Sequence, residues 1–330
     1  MNALLEVEKM KVIELFAGIG APRMALKKLG IEHEIIGISE INKTAISIYN
    51  SIHGETMNFG NISEIKQLPY CDFLWASSPC TSFSSAGKRD GLKGESKLLL
   101  EVYRLLENYK ERNELPKYFG FENVPNLVTK FSDVFNELLL FLDNIGYNVY
   151  YEILNALYFN CPQKRERLFL IGIRKDIDKG DFTMPKNEIP TKKRLRDLLV
   201  KDTNFPEEFI HSEEKFHKRH FRVRPIPKNT LQTIELGYYF TENSTNRSQS
   251  NRIYSKDGVC PTLTTVPFVN LEEDGFLRRM MPIEYWRAMD FSDDDFYKIK
   301  NLKFTAIVKA IGNSICLNQL ETIFNNLFKK

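Results

Sequence analysis

The residues best suited to covalent chemistry lie in Ala76-Ser77-Ser78-Pro79-Cys80-Thr81-Ser82-Phe83-Ser84, where one cysteine follows a proline among hydroxyls and small side chains. A structural cysteine usually sits among aliphatic neighbours, whereas a reactive thiolate needs access and a setting that stabilises an anion. Glu122, in Phe121-Glu122-Asn123-Val124, supplies a carboxylic acid. Arg165 and Arg167, in Gln163-Lys164-Arg165-Glu166-Arg167, supply guanidinium forks that suit a phosphate or a carbonyl oxygen. Spaced i and i+2 before an apolar run, they are expected to point the same way into one cleft. Phe16-Ala17-Gly18-Ile19-Gly20 has the glycines that let a backbone approach a ligand beside a helix N-terminus. Glu40, about twenty residues on, stands where an acid can take two ribose hydroxyls. Each signal has an ordinary alternative: a structural turn, a solvated glutamate, an inert packing cysteine, a solvated charge run. Together they favour a nucleoside-containing cofactor, while the missing GxGxxG leaves a dinucleotide unindicated.

These residues need a scaffold that gathers them at one edge. Short apolar runs at Lys11–Phe16, Glu34–Ser39, Asp72–Ala76, Tyr118–Glu122, Asn148–Leu154 and Arg167–Ile173 read as strands. Helical patterns alternate with them: one following Gly20 through Leu29, then Ala45–Ser51, Leu98–Tyr109 and Val134–Asn144. Strand–helix alternation predicts βαβ units, a parallel sheet and helices on both faces, with ligands at the carboxyl ends of the strands. The pattern breaks after about Lys175, and a second, smaller and irregular domain is expected over 186–275. A segment over 276–299 is expected to lead back to the first domain, 1–185, which 300–330 completes with a helical pattern from Ile307.

Composition sets the outer limits. The chain has 330 residues, enough for one large core and a smaller lobe, and its net charge of +3 is too mild to name a partner. Five scattered cysteines without CxxC spacing argue against zinc or a disulfide framework, hence for a reducing cytoplasm. The sequence MNALLEVEKMKVIELF lacks a signal-peptide pattern, and no run approaches the roughly 20 apolar residues of a membrane span.

Taken in order, FAGIG, Pro79-Cys80, Glu122-Asn123-Val124, Gln163-x-Arg165-x-Arg167 and Gly312-Asn313-Ser314 resemble the DNA (cytosine-5)-methyltransferase family in its compact bacterial or phage form. Arg279–Glu284 with Trp286–Phe291 is similar to the family's segment between its variable region and last motif. The resemblance covers 11–175 and 278–330. It implies a Rossmann-like S-adenosylmethionine-dependent methyltransferase fold with a smaller, irregular target-recognition domain. It also implies double-stranded DNA as substrate, S-adenosylmethionine as cofactor, a monomer and no membrane, with room for a cognate restriction endonuclease. Cys80 would add to C6 of a flipped-out cytosine, Glu122 would bind N3 and the exocyclic amine, and Arg167 would hold O2. Arg165 would help to position its loop and the backbone. Phe16 and Ile41 would flank the adenine and Glu40 would bind the ribose. Ala17, Gly18, Gly20, Asn61, Ile62, Pro79, Leu98, Asn313 and Ser314 would complete the cofactor pocket. Ser82–Arg89 is similar to the family's mobile loop, with Ser84, Lys88 and Arg89 facing DNA.

Two positions depart from the family pattern. Asn61 stands where an aspartate is usual; it keeps a carbonyl acceptor, so weaker cofactor binding is expected rather than loss of activity. Thr81 stands where glutamine is common, without a physical account. The resemblance is silent over 186–275. There Lys215–Arg224 carries five basic residues, two histidines and no acid, so Lys218, Arg219, Arg222 and Arg224 are expected to meet DNA. Asn243–Arg252 is a polar stretch that could enter a groove. The rival enzyme reading is a tRNA cytosine methyltransferase, but the Cys-Phe-Thr element of that branch is absent. An inactive DNA-binding relative is opposed by the intact Cys80, Glu122 and Arg167. A small-molecule methyltransferase would have no use for the basic second domain.

Overall fold

The computed structural model describes residues 9–79, 97–202, 205–211, 231–238, 251–273 and 276–329. Cys80, Thr81, Ser84, Lys88 and Arg89, and Lys218, Arg219, Arg222 and Arg224, lie outside the described residues, as do 243–250. The chain divides into two compact units: 1–154 with 166–186 and 320–330, and 155–165 with 187–319.

The first unit is built on a sheet of six strands, β1 (Met10–Leu15), β2 (His33–Ser39), β3 (Phe73–Ala76), β4 (Tyr118–Asn123), β5 (Tyr147–Asn155) and β6 (Glu166–Arg174). Their order is β2-β1-β3-β4-β6-β5. Strands β2, β1, β3 and β4 run parallel to one another. The expected all-parallel sheet is corrected at β6, which pairs antiparallel with β4. The helices are α1 (Ala21–Lys28), α2 (Lys43–His53), α3 (Leu98–Glu111), the short α4 (Asn126–Thr129) and α5 (Ser132–Ile145).

Alternation along β3 separates the two faces. Leu74 and Ala76 join a core with Leu99, Val102, Leu105 and Leu106 of α3 and Phe135, Leu138 and Leu142 of α5. Those spacings are the apolar stripes of amphipathic helices. Phe73 and Trp75 point the other way, onto Phe324, their ring centroids each 5.5 Å from it. Phe328, 5.2 Å from Tyr118, extends this aromatic layer. Gly120, opposite Trp75 in the register, makes room for the indole, because a Cβ there would lie 2.2 Å from a ring carbon.

The second unit holds a four-stranded sheet, β10 (Phe276–Arg279)-β9 (Asn270–Glu273)-β8 (Arg252–Ser255)-β7 (Glu235–Tyr238), and helices α6 (Pro282–Arg287), α7 (Asp293–Ile299) and α8 (Phe304–Gly312). A last helix, α9 (Leu317–Phe328), begins here and gives its residues from Leu320 onward to the first unit. This contact division departs from the expected boundaries in two places. Residues 155–165 belong to the second unit, where Cys260 N–H donates to Pro162 and Lys164 N–H donates back to Cys260. Helix α8 belongs there too, burying Ile307, Val308 and Ile311. Among the described residues no helix is long and apolar enough to cross a membrane.

Candidate active site

Strand β1 runs into a loop with unusual backbone. Phe16 has φ 55°, Gly18 56° and Gly20 79°, so even a phenylalanine is held in the left-handed region. The loop is fixed from β2: Ala17 N–H donates to Ser39 O at 3.2 Å, and Gly18 N–H donates to the Glu40 carboxylate at 2.9 Å. The other oxygen of Glu40 accepts from Ile41 and Asn42 N–H at 2.9 and 2.8 Å. Glu40 is thus locked just past the end of β2 against the glycine loop. Asn58 brackets its backbone, accepting from Glu40 N–H and donating to Glu40 O, and also accepts from Gly60 N–H.

Ile41 is 70% exposed, an apolar side chain left open next to that carboxylate, and Phe16 is half-buried. Carboxylate, glycine loop and two apolar faces suit a cofactor with a ribose and a flat base. Asn61 caps a short turn, its Oδ1 accepting from Ser63 N–H at 3.2 Å, while Ile62 is buried beneath it. Leu98 opens α3 and packs half-buried on the core.

The approach to Cys80 is anchored on both sides. Ser77 N–H donates to Leu15 O of β1 at 3.3 Å, and its Oγ accepts from Trp75 Nε1 at 2.8 Å. Ser78 is buried, and Asn123 of β4 donates to its carbonyl and hydroxyl at 3.4 and 3.3 Å. Pro79, the last described residue before the nucleophile candidate, therefore stands at the carboxyl edge of the sheet.

Glu122 lies on β4 opposite Phe169 of β6. Because β6 is antiparallel, its beginning lies at the carboxyl end of β4, so Arg167 arrives at the same edge as Glu122. Arg167 Nε is 3.1 Å from Glu122 Oε1, the side chains 15% and 12% exposed. The reversed strand is what joins base and acid.

Arg165 does something else. Only 1% exposed, it donates to Leu263 O and Gly312 O at 2.9 Å and to Ser314 O at 2.5 Å, all within its own unit. It braces the Gly312-Asn313-Ser314 turn, leaving Asn313 exposed at the end of α8 and Ser314 buried. The turn needs its glycine, since a Cβ at Gly312 would lie 2.3 Å from the Thr264 backbone. Arg165 precedes the first residue of β6, so strand alternation does not govern it, and the expected common direction with Arg167 is replaced by this bracing role.

Sequence reasoning passed over Glu14, next to the last residue of β1 and fully buried. Its Oε2 accepts from Tyr49 hydroxyl at 2.6 Å and its Oε1 from Arg23 N–H at 3.0 Å. Burial pushes its carboxyl up to about 7. The available signal was an acid inside the apolar run Val12-Ile13-Glu14-Leu15. Among the described residues no cluster of His, Cys, Asp or Glu could hold a metal.

A sheet of this order, with a glycine loop after its first strand and an acid ending its second, defines the fold of S-adenosylmethionine-dependent methyltransferases. Solved structures share it: the Dnmt2 methyltransferase of S. pombe superposes with TM-score 0.74 at 22% identity, covering 97% of this chain and 99% of that one. A putative DNA modification methyltransferase encoded within an E. coli prophage gives 0.65 at 19% identity, covering 97% and 99%. The family model of C-5 cytosine-specific DNA methylases matches residues 10–329, and the chain belongs to that family. The orphan methyltransferase M.Rho11sI of Bacillus phage rho11s is 36% identical over 78% of this chain, which spans 58% of that relative's length. Type II methyltransferase M2.ScrFI of Lactococcus lactis subsp. cremoris is 31% identical over 97% of this chain and 99% of its own. M.HhaI of Haemophilus parahaemolyticus is 30% identical over 96% and 94%.

Proposed function

We propose that this chain methylates C5 of a cytosine in a short specific sequence of double-stranded DNA, acting as a cytoplasmic monomer. The observation that carries the proposal is the Glu122–Arg167 pair at the sheet edge, beside the doubly anchored segment that leads into Pro79-Cys80. A cytosine in a duplex hides its reactive atoms in the stack, so the base must be flipped out. Cytosine C6 is a weak electrophile. The Cys80 thiolate adds there, forming a C–S bond and making C5 nucleophilic. Glu122, hydrogen-bonded to N3 and the exocyclic amine, favours protonation at N3 as the thiolate adds, and Arg167 holds O2, where charge builds. When bound, S-adenosylmethionine supplies a methyl group on a sulfonium centre. Loss of the C5 proton then lets the C–S bond break and returns the thiolate.

Phe16, Ile41 and Glu40 are the residues that would hold the cofactor's adenosine, with Ala17, Gly18 and Gly20 giving it close backbone. Asn61, Ile62, Pro79 and Leu98 would line the rest of that site. Asn61 keeps an acceptor oxygen toward the cofactor, although that oxygen also caps its own turn. Ser84, Lys88, Arg89, Lys218, Arg219, Arg222 and Arg224 would meet the duplex, which makes binding salt-dependent. Whether the chain serves a restriction endonuclease or works alone, its reaction is the same.

The test is transfer of tritium from methyl-labelled S-adenosylmethionine to unmethylated plasmid DNA, with unmodified tRNA in parallel. Label in acid-stable 5-methylcytosine of the plasmid alone is expected. Label confined to tRNA, or in neither, would overturn the proposal.

A further inference from the structure

Behind the Phe16–Gly20 loop lies a buried polar cluster that touches no reacting atom in the mechanism above. Glu14 sits two residues before Phe16 and bridges three elements: its own strand β1, the first turn of α1 through Arg23 N–H, and α2 through the Tyr49 hydroxyl. The Arg23 guanidinium closes the cluster, donating to Thr56 Oγ1 at 3.0 Å, to His53 O at 3.3 Å and to Tyr49 oxygen at 3.5 Å. The Tyr49 and His53 rings meet at a tilt of 55° with centroids 4.6 Å apart, and a His53 ring nitrogen lies 3.2 Å from Ile19 O. The loop rests directly on these rings. A Cβ at Gly20 would lie 2.6 Å from both His53 Nε2 and Tyr49 Cε2.

We infer that Glu14 is a positioning residue for cofactor binding, acting through Tyr49 and the Arg23 amide to hold the left-handed loop in the shape that receives the cofactor. The inference rests on the proposed function, because it takes that loop as the site of S-adenosylmethionine. The physical reason is pre-organisation. A backbone with three left-handed residues in five stays in one conformation only if its surroundings over-determine it. Glu14 fixes where α1 starts and where the Tyr49 ring stands, and therefore both ends and the floor of the loop. Loss of its two acceptor positions would orphan a buried hydroxyl and a buried amide and release the loop into other conformers.

The test is calorimetric binding of S-adenosylhomocysteine to the full chain, with no turnover required. Glu14→Leu removes both acceptors and is expected to weaken binding about tenfold, one orphaned buried pair's worth. Tyr49→Phe keeps the ring under Gly20 and loses one bond, so about threefold weaker binding is expected. Glu14→Gln retains an acceptor for Arg23 N–H and a donor for the Tyr49 oxygen, and is expected to restore the dissociation constant to within about twofold. As a control for general destabilisation, Leu138→Ala, on the core face of α5, should lower the melting temperature without weakening binding. Equal affinity in wild type, Glu14→Leu and Tyr49→Phe would overturn the inference, and Tyr49→Phe decides it alone if Glu14→Leu does not fold. Absence of binding to wild type would instead count against the proposed function.

Discussion

Two arginine–glutamate pairs, one in each unit, have the same chemistry and opposite uses. Arg278 and Glu284 are both wholly buried and meet through two bonds of 2.8 Å. Glu273 takes Arg278 Nε, the Phe205 ring lies 4.2 Å from the guanidinium carbon, and Val200 and Met281 N–H both donate to Glu284. Such saturation joins β10 to α6 and leaves neither charge available to a ligand. Arg167 Nε lies 3.1 Å from Glu122 Oε1 at a strand-end edge, the side chains 15% and 12% exposed, and the Arg167 guanidinium also donates to Glu166 O at 2.6 Å. A pair sealed in the core by protein is a brace; one at a partly open edge can exchange its mutual contact for a substrate. Arg165, from the same pentapeptide as Arg167, is also a brace: its two terminal nitrogens donate to three backbone carbonyls around a turn.

The largest expected effect lies on the working side. Cys80→Ser should abolish turnover while retaining duplex binding in a gel-shift assay, because only the nucleophile is lost. Glu284→Gln should then cost about 3–5 kcal/mol of stability, as a brace that strands a buried guanidinium must, read as a lowered urea midpoint. Glu122→Gln should do the reverse, lowering kcat about 10²–10³-fold with a stability change within about 1 kcal/mol. The comparison breaks if these two variants behave alike.

Glu14 sharpens it through pH. Its folded carboxyl is raised from 4.5 to about 7, so its contribution to stability is complete below 4.5 and is lost as pH rises toward 7. The groups facing it are Tyr49 and Arg23, with His53 next in line. The unfolding free energy of wild type, read from urea titrations, should fall over that window by on the order of 3 kcal/mol, and Glu14→Gln should flatten the slope. Gly312→Ala, forcing a methyl onto the Thr264 backbone, should cost about 1–3 kcal/mol, the smallest of the set.

The sheet was legible because its strands are short apolar runs bounded by turns, and each expected strand overlaps an observed one. Strand direction was not, since hydrophobic periodicity carries no polarity, and so the reversal of β6 that brings Arg167 to Glu122 went unseen. The strand-end places of Glu40 and Glu122 were legible from residue order alone, whereas Arg167 reaches the edge of Glu122 because it starts the reversed strand β6. Arg165 was legible as a positioning residue only through the family likeness; its carbonyl partners lie about a hundred residues or more away in sequence. Glu14 was hidden by its apolar neighbours, which drew attention to the strand rather than to the acid within it. The second unit was opaque for a different reason: its strands span four residues each, too few for a period to emerge.

The central claim is a site-specific cytosine methyltransferase that works through Cys80. Bisulfite sequencing tests it most directly, on plasmid DNA from a host without its own cytosine methylation expressing either this chain or Cys80→Ser. The account predicts protected cytosines in one short recurring context with the wild-type chain and complete conversion with the variant. Complete conversion with soluble wild-type protein, or the same protection with Cys80→Ser, would contradict it.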